Sequence, residues 1–205
     1  MALIAIVGYG MGNVRSVTNA LDYIGASSFV ATRPEQLGEA DKVLLPGVGA
    51  FRKAMALLEE TGFRAALDEQ VKLHGKPLLG ICLGMQVLAE TGTEFGDCAG
   101  LGYVPGRVEI IPKTNPDLRL PQIGWNELSI VADCPLLRGV KGEDGGYFVH
   151  SYYLNAVRTS QISATCDYGG PITAAVSAGH VFGMQFHPEK SQPLGLVILE
   201  NFAGL

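Results

Sequence analysis

A chain of 205 residues, 47% hydrophobic and only 17% charged, can bury one sizeable core and reads as one domain over 1–205. Its net charge of −5 and its lack of a basic cluster exclude nucleic acid as an expected ligand. Four cysteines, at 82, 98, 134 and 166, show no C-x-x-C pairing, which argues against a disulfide framework or metal site and for a reducing compartment.

Residues 3–7 form an apolar run expected as a buried first strand. Residues 1–7 lack a basic n-region and the run stops at Gly8, so the segment reads as a strand and not a signal peptide. No apolar run approaches membrane-spanning length, and the expectation is a soluble, cytoplasmic protein with no membrane partner. Gly8-Tyr9-Gly10-Met11-Gly12-Asn13 leads into a helix expected over 14–24, with Asn13 as N-cap and Gly25 as terminator. The glycines invite a dinucleotide reading. However, Asn13 stands where the fingerprint needs its third glycine, and the next strand, 28–31, does not end in an acid. A tight turn bringing backbone to a mouth or interface is the better reading.

A third strand, 42–45, ends in Pro46-Gly47-Val48-Gly49-Ala50-Phe51. Glycines on both sides of Val48 let a backbone N–H turn toward a ligand, so this loop is a candidate oxyanion donor. Amphipathic helices are expected over 51–60 and 64–74, followed by a strand over 77–81. The alternation of strand and helix to this point implies a parallel sheet with helices on both faces.

The strand at 77–81 runs into Gly80-Ile81-Cys82-Leu83-Gly84-Met85-Gln86, with good helix formers expected to continue the helix through residue 90. Gly80-x-Cys82-x-Gly84 is the thiol counterpart of the G-x-S-x-G nucleophile elbow. A sharp turn from strand to helix leaves no room for side chains beside the nucleophile. The first turn of a helix also favours a thiolate. The Leu83 N–H is placed to meet a developing oxyanion.

Beyond residue 100 the pattern changes to short β-like runs between Gly and Pro turns: 107–111, 122–126, 127–131, 147–154, 162–167 and 172–177. These read as antiparallel strands completing or flanking the sheet. The stretches 114–117 and 141–146 are expected loops, the second mobile. A further strand over 181–186 and a helix over 193–202 close the chain.

A thiol nucleophile needs a base, and the base needs an orienting group. Of the four histidines, His187 has the best setting, in Gln185-Phe186-His187-Pro188-Glu189-Lys190. In an extended segment Gln185, His187 and Glu189 share one face, so the Glu189 carboxylate can fix the tautomer of the ring. His150 is the rival base but has no acid at a comparable offset.

The elbow taken together with the distant His187-Pro188-Glu189 resembles the Cys-His-Glu triad of class I glutamine amidotransferases. Gly8 to Ser16, Leu45 to Phe51, Ile123-Gly124-Trp125-Asn126 and Phe148-Val149-His150-Ser151-Tyr152 resemble, within that family, the glutaminase subunits of imidazole glycerol phosphate synthases. The similarity runs nearly end to end.

The resemblance implies an α/β fold of flavodoxin-like type, with a mostly parallel central sheet, helices on both faces and added antiparallel strands. It implies a glutaminase that uses no cofactor and releases glutamate and ammonia through a Cys82 thioester. His187 would act as base and Glu189 would hold its ring. Val48, Gly49 and Leu83 would bind the oxyanion. Gln86, Glu94, Ser151 and Tyr152 would hold the glutamine head group. The implied partner is a (β/α)₈-barrel cyclase subunit that receives the ammonia in histidine biosynthesis. Trp125, Asn126, Tyr147 and Lys190 are candidates for that interface, although Trp125 and Tyr147 fit equally well as core aromatics. Two alternatives stand beside this reading. One is a sister amidotransferase with another acceptor, against which the 123–126 and 148–152 stretches argue. The other is a non-catalytic protein with a reactive elbow cysteine.

Overall fold

The computed structural model describes residues 2–141, 145–156 and 158–205, so the centre of the expected 141–146 loop lies outside the described residues. β1 (Ile4–Val7), β2 (Ser28–Ala31), β3 (Lys42–Gly47) and β4 (Leu78–Cys82) lie parallel in the order β2-β1-β3-β4. β1, β4 and β3 beyond Lys42 are apolar and buried because the middle of a parallel sheet is covered on both faces, whereas the edge strand β2 is only partly buried. Alternate residues serve different cores. Ile4, Ile6, Leu44, Leu79 and Ile81 pack with α1 (Val14–Tyr23), while Ala5, Val7, Val43, Leu45 and Leu78 pack with α2 (Phe51–Glu60) and α3 (Phe63–Leu67). Asn13 caps α1 as expected, its side-chain oxygen accepting the Ser16 N–H at 3.4 Å. The link from β2 to β3 is a 3₁₀ turn over Pro34–Glu39 and not a full helix.

The helix after Cys82 is shorter than its residues suggest. α4 covers only Leu83–Gln86, and β5 (Ala89–Gly92) follows at once. Pairing of β5 with β6 (Cys98–Ala99) and β7 (Val104–Ile110) overrides helix propensity here. Gly92 also lies against the Phe51 ring, where a side chain would clash. The first helical turn therefore still follows Cys82, but no long helix dipole stands behind it.

The second half of the chain adds β8 (Gln122–Glu127), β9 (Ser129–Ile130), β10 (Gly145–His150), β11 (Tyr152–Ala156), β12 (Ile162–Asp167), β13 (Pro171–Ala178) and β14 (Val181–Met184). The run expected as one strand over 147–154 is two strands, broken at Ser151, in different sheets. β10 pairs with β8, and β11 joins the sheet of β7. β14 inserts parallel to β4, and β13, β12 and β9 extend the main sheet antiparallel to give the order β2-β1-β3-β4-β14-β13-β12-β9. α5 (Leu194–Gly204) packs on the α1 face. Its last turn is closed by buried Lys42, whose Nζ donates to the Phe202 and Ala203 carbonyls at 3.0 and 2.6 Å.

This topology positions the site. β4 and β14 run side by side in register, Ile81 opposite Met184, so residues just past both carboxyl ends share one rim. Cys82, the last residue of β4, and His187, three residues past β14, stand on that rim. Ligands of open parallel sheets bind at this edge.

Candidate active site

Cys82 ends β4 at φ 55, ψ −112, a left-handed conformation that costs a non-glycine residue about 1–3 kcal/mol and is found mainly at functional sites. The expected glycines are what make the turn possible. A Cβ on Gly80 would come within 2.6 Å of the Gly84 carbonyl, and one on Gly84 would run into the Leu45 carbonyl. Behind the elbow, a Cβ on Gly47 would sit 2.8 Å from the Gly84 nitrogen and 2.9 Å from the Tyr9 hydroxyl. That hydroxyl is buried without a hydrogen-bond partner among the described residues, and burial, then the nearby Cys82, push its pKa up. The turn at 8–13 thus backs the loop at 46–49: Gly12 lies against Pro46, and Met11 against Gly49.

The His187–Glu189 pair forms, but not on an extended segment. Residues Pro188–Lys190 make a 3₁₀ turn that brings the Glu189 Oε1 to 2.8 Å from His187 Nδ1. Both side chains are buried. Burial lowers the imidazole pKa, but the facing Cys82 thiol and Glu189 outweigh it, and the ring is pushed up to about 9. A carboxylate on Nδ1 fixes the proton there and leaves Nε2 to exchange a proton with sulfur.

Two supporting residues escaped sequence reasoning. Gln185 is fully buried; its side-chain amide donates to the Cys82 sulfur at 3.8 Å and its carbonyl accepts from Gln86 Nε2 at 3.1 Å. Gln86 also donates to the Tyr152 carbonyl at 2.8 Å, so one polar chain joins the Cys82 sulfur to the β10–β11 break. The shared face of Gln185 and His187 was its signal. Ser191, also fully buried, donates to the His187 carbonyl at 2.6 Å and accepts the Tyr147 N–H at 2.8 Å. Nothing in the sequence marks it.

A cleft of about 360 Å³ gathers Cys82, His187, Val48, Gly49, Leu83, Gln86, Glu94, Ser151 and Tyr152, all of the expected catalytic and substrate residues except Glu189, which lies behind the ring. Its size suits a small polar ligand. Gly49 has φ 105, a conformation open to glycine, and Val48 is exposed. Glu94 is more than a surface acid. Its Oε2 accepts the Phe51 N–H at 2.8 Å, capping α2, whose own N-cap Ala50 has no side chain to do so. Arg52 pins the turn after it by donating to the carbonyls of Phe95, Gly96 and Asp97, each at 3.3 Å.

Next to the cleft, Trp125 and Tyr147 face each other across β8 and β10 with ring centroids 5.6 Å apart, and Lys190 Nζ lies 5.5 Å from the Tyr147 ring centre. Trp125 is 60% and Ile123 64% exposed, so this is no core aromatic cluster. Asn126 stands apart, its side chain tied to the Asp167 carbonyl at 2.7 Å. Among the described residues no group of three or more His, Cys, Asp or Glu is placed to hold a metal, and no helix is long and apolar enough to cross a membrane.

This geometry has relatives. Residues 5–204 match the family model "Glutamine amidotransferase class-I". The chain is 47% identical to the imidazole glycerol phosphate synthase subunit HisH 1 of Campylobacter jejuni (strain RM1221), covering 99% of this chain and 100% of that one. It is 46% identical to the subunit HisH of Bacillus cereus (strain B4264), over 99% and 95%. A crystal structure of a glutamine amidotransferase superposes with TM-score 0.76 at 22% identity, covering 98% of this chain and 99% of that one. The structure of PurLQS from Thermotoga maritima gives TM-score 0.76 at 18% identity, over 100% and 99%. Those two likenesses carry the fold, and the family model, matched almost end to end, carries the assignment: the chain belongs to the class-I glutamine amidotransferases.

Proposed function

We propose that this chain is the glutaminase subunit of an imidazole glycerol phosphate synthase, a single cytoplasmic domain that works with a (β/α)₈-barrel cyclase subunit. The observation that carries the chemistry is the meeting of a strained buried thiol with a buried imidazole–carboxylate pair at the ends of two hydrogen-bonded parallel strands. Full-length similarity to HisH subunits supports the choice of partner.

In this reading His187 takes the Cys82 proton and the sulfur attacks the side-chain carbonyl of glutamine. Backbone N–H groups of Leu83 and the Val48–Gly49 loop hold the oxyanion. The imidazolium returns its proton to nitrogen, the C–N bond breaks and ammonia leaves. Water then attacks the thioester, giving up a proton to His187, and glutamate and the free thiol are restored. Glu189 keeps the ring in one tautomer throughout. Gln86, Glu94 and the Ser151–Tyr152 backbone orient the amino-acid head group. Exposed Trp125 and Lys190 and half-buried Tyr147 form part of the cyclase-facing surface, with Asn126 shaping it from behind.

Cys82→Ala tests the reading. Glutamate release from glutamine, assayed with the cyclase subunit present, should disappear while the two subunits still co-elute. Hydrolysis retained by that variant would remove Cys82 from the mechanism.

A further inference from the structure

One buried nitrogen in the cleft has no role in the chemistry above. His150 is only 6% exposed and lines the cleft beside His187 and Cys82. Its Nδ1 lies 2.8 Å from the Tyr152 carbonyl oxygen. A carbonyl only accepts, so Nδ1 carries the ring proton and Nε2 is left with a bare lone pair. Nε2 is buried with no hydrogen-bond partner among the described residues. Burial pushes the ring pKa down to about 4, the Tyr152 carbonyl opposes this, and nearby His187 adds to it. The ring is therefore neutral near pH 7, a pure acceptor on its inward side.

A buried acceptor of this kind is costly unless a ligand supplies a donor. Two features select the donor. The ionisable group acting on the ring is His187, which serves the reacting end of glutamine. His150 also sits on β10, whose outward residue Val149 pairs with exposed Ile123 on β8, so the ring stands between the cleft and the exposed apolar ribbon. What is released at the reacting end is ammonia, a small molecule with three N–H donors.

We propose that His150 Nε2 is the first acceptor for ammonia leaving the Cys82 intermediate, holding it as the neutral molecule on its way past β10. No covalent bond changes: an ammonia N–H donates to Nε2. The only ring proton is committed to the Tyr152 carbonyl, so His150 has none to give, and ammonia is not trapped as ammonium. The inference rests on the glutaminase reading.

Two substitutions separate the ring's nitrogens. In His150→Asn the amide nitrogen can replace Nδ1 and keep the Tyr152 contact, but Nε2 is gone. In His150→Gln the amide reaches the Nε2 position and the Tyr152 contact is lost. Each is assayed in complex with the cyclase subunit, measuring glutamate formed per imidazole glycerol phosphate formed. His150→Asn should raise that ratio about 2- to 10-fold, the worth of one neutral hydrogen bond, with KM for glutamine nearly unchanged. Synthesis driven by added ammonium chloride should stay at the wild-type rate. His150→Gln should show the reverse, a raised KM with the ratio near wild type. An unchanged ratio in His150→Asn overturns the proposal, as does a fall in glutamate and cyclised product in step. If the wild-type complex itself releases no glutamate, the glutaminase reading falls instead, which is a separate outcome.

Discussion

At the elbow every neighbour of Cys82 is fixed by something behind it, whereas the β8–β10 ribbon is buried on one face, where Phe148 packs on Phe186, and open on the other. Gly80 and Gly84 are hemmed in by backbone, Gln185 and His187 are buried, and β4 lies between two parallel partners. The ribbon has two strands, and Ile123, Trp125 and Val149 on it are exposed. Two-stranded ribbons are marginal alone, and an apolar patch of this kind marks a contact surface. Yet the regions are joined: the His187 N–H donates to the Tyr147 carbonyl at 2.9 Å, and Ser191 bridges the same two segments. The backbone that holds the base also carries the aromatic edge of the ribbon. The difference sets a buried thiol and imidazole–carboxylate pair, held from behind, against an adjoining surface that is left exposed and apolar.

Changes on the elbow side should have the largest effects. Glu189→Gln removes the charge that fixes the His187 tautomer, and kcat should fall about 10³- to 10⁴-fold with little change in KM, measured as glutamate release. Gly84→Ala drives a Cβ into the Leu45 carbonyl and should cost about 4 kcal/mol in urea unfolding, an effect as large as a deep core mutation. A cost below about 1 kcal/mol would show the elbow to be looser than described.

Next in size is a pH effect. The His187 pKa is raised from 6.5 to about 9 in the folded chain. A raised folded value stabilises fully below 6.5, and that contribution is lost as pH rises through about 9. Unfolding free energy should therefore drop by up to about 3 kcal/mol between about pH 6 and pH 9.5, and His187→Asn should flatten that slope. Smallest in the isolated chain is Trp125→Ala, which should shift stability by less than about 0.5 kcal/mol. In the two-subunit complex the same substitution should weaken association by about 2 kcal/mol, read by titration calorimetry. A large loss of stability in the free chain would instead make Trp125 part of the fold.

What could be read in advance follows the range of the forces involved. The parallel strands were legible because burial on both faces leaves uninterrupted apolar runs such as Ile4–Val7 and Leu78–Cys82. The elbow was legible because backbone crowding there admits only glycine. Two contacts were out of reach: the Gln185 amide at the thiol depends on the register of β4 and β14, and the Ser191 bridge to Tyr147 joins segments far apart in sequence. The expected helix runs on through Glu90, but β5 begins at Ala89, because its pairing with β7 is a tertiary choice that local propensity does not record. The break at Ser151 is similar. An unbroken β-prone run divides because its halves serve different sheets.

The most direct measurement is covalent labelling by an electrophilic glutamine analogue, followed by mass spectrometry of the intact complex and its peptides. The account predicts one equivalent of label on Cys82, blocked by excess glutamine and absent in Cys82→Ala. Label spread over Cys98, Cys134 and Cys166, or Cys82 left unmodified while glutamine is being hydrolysed, would contradict it.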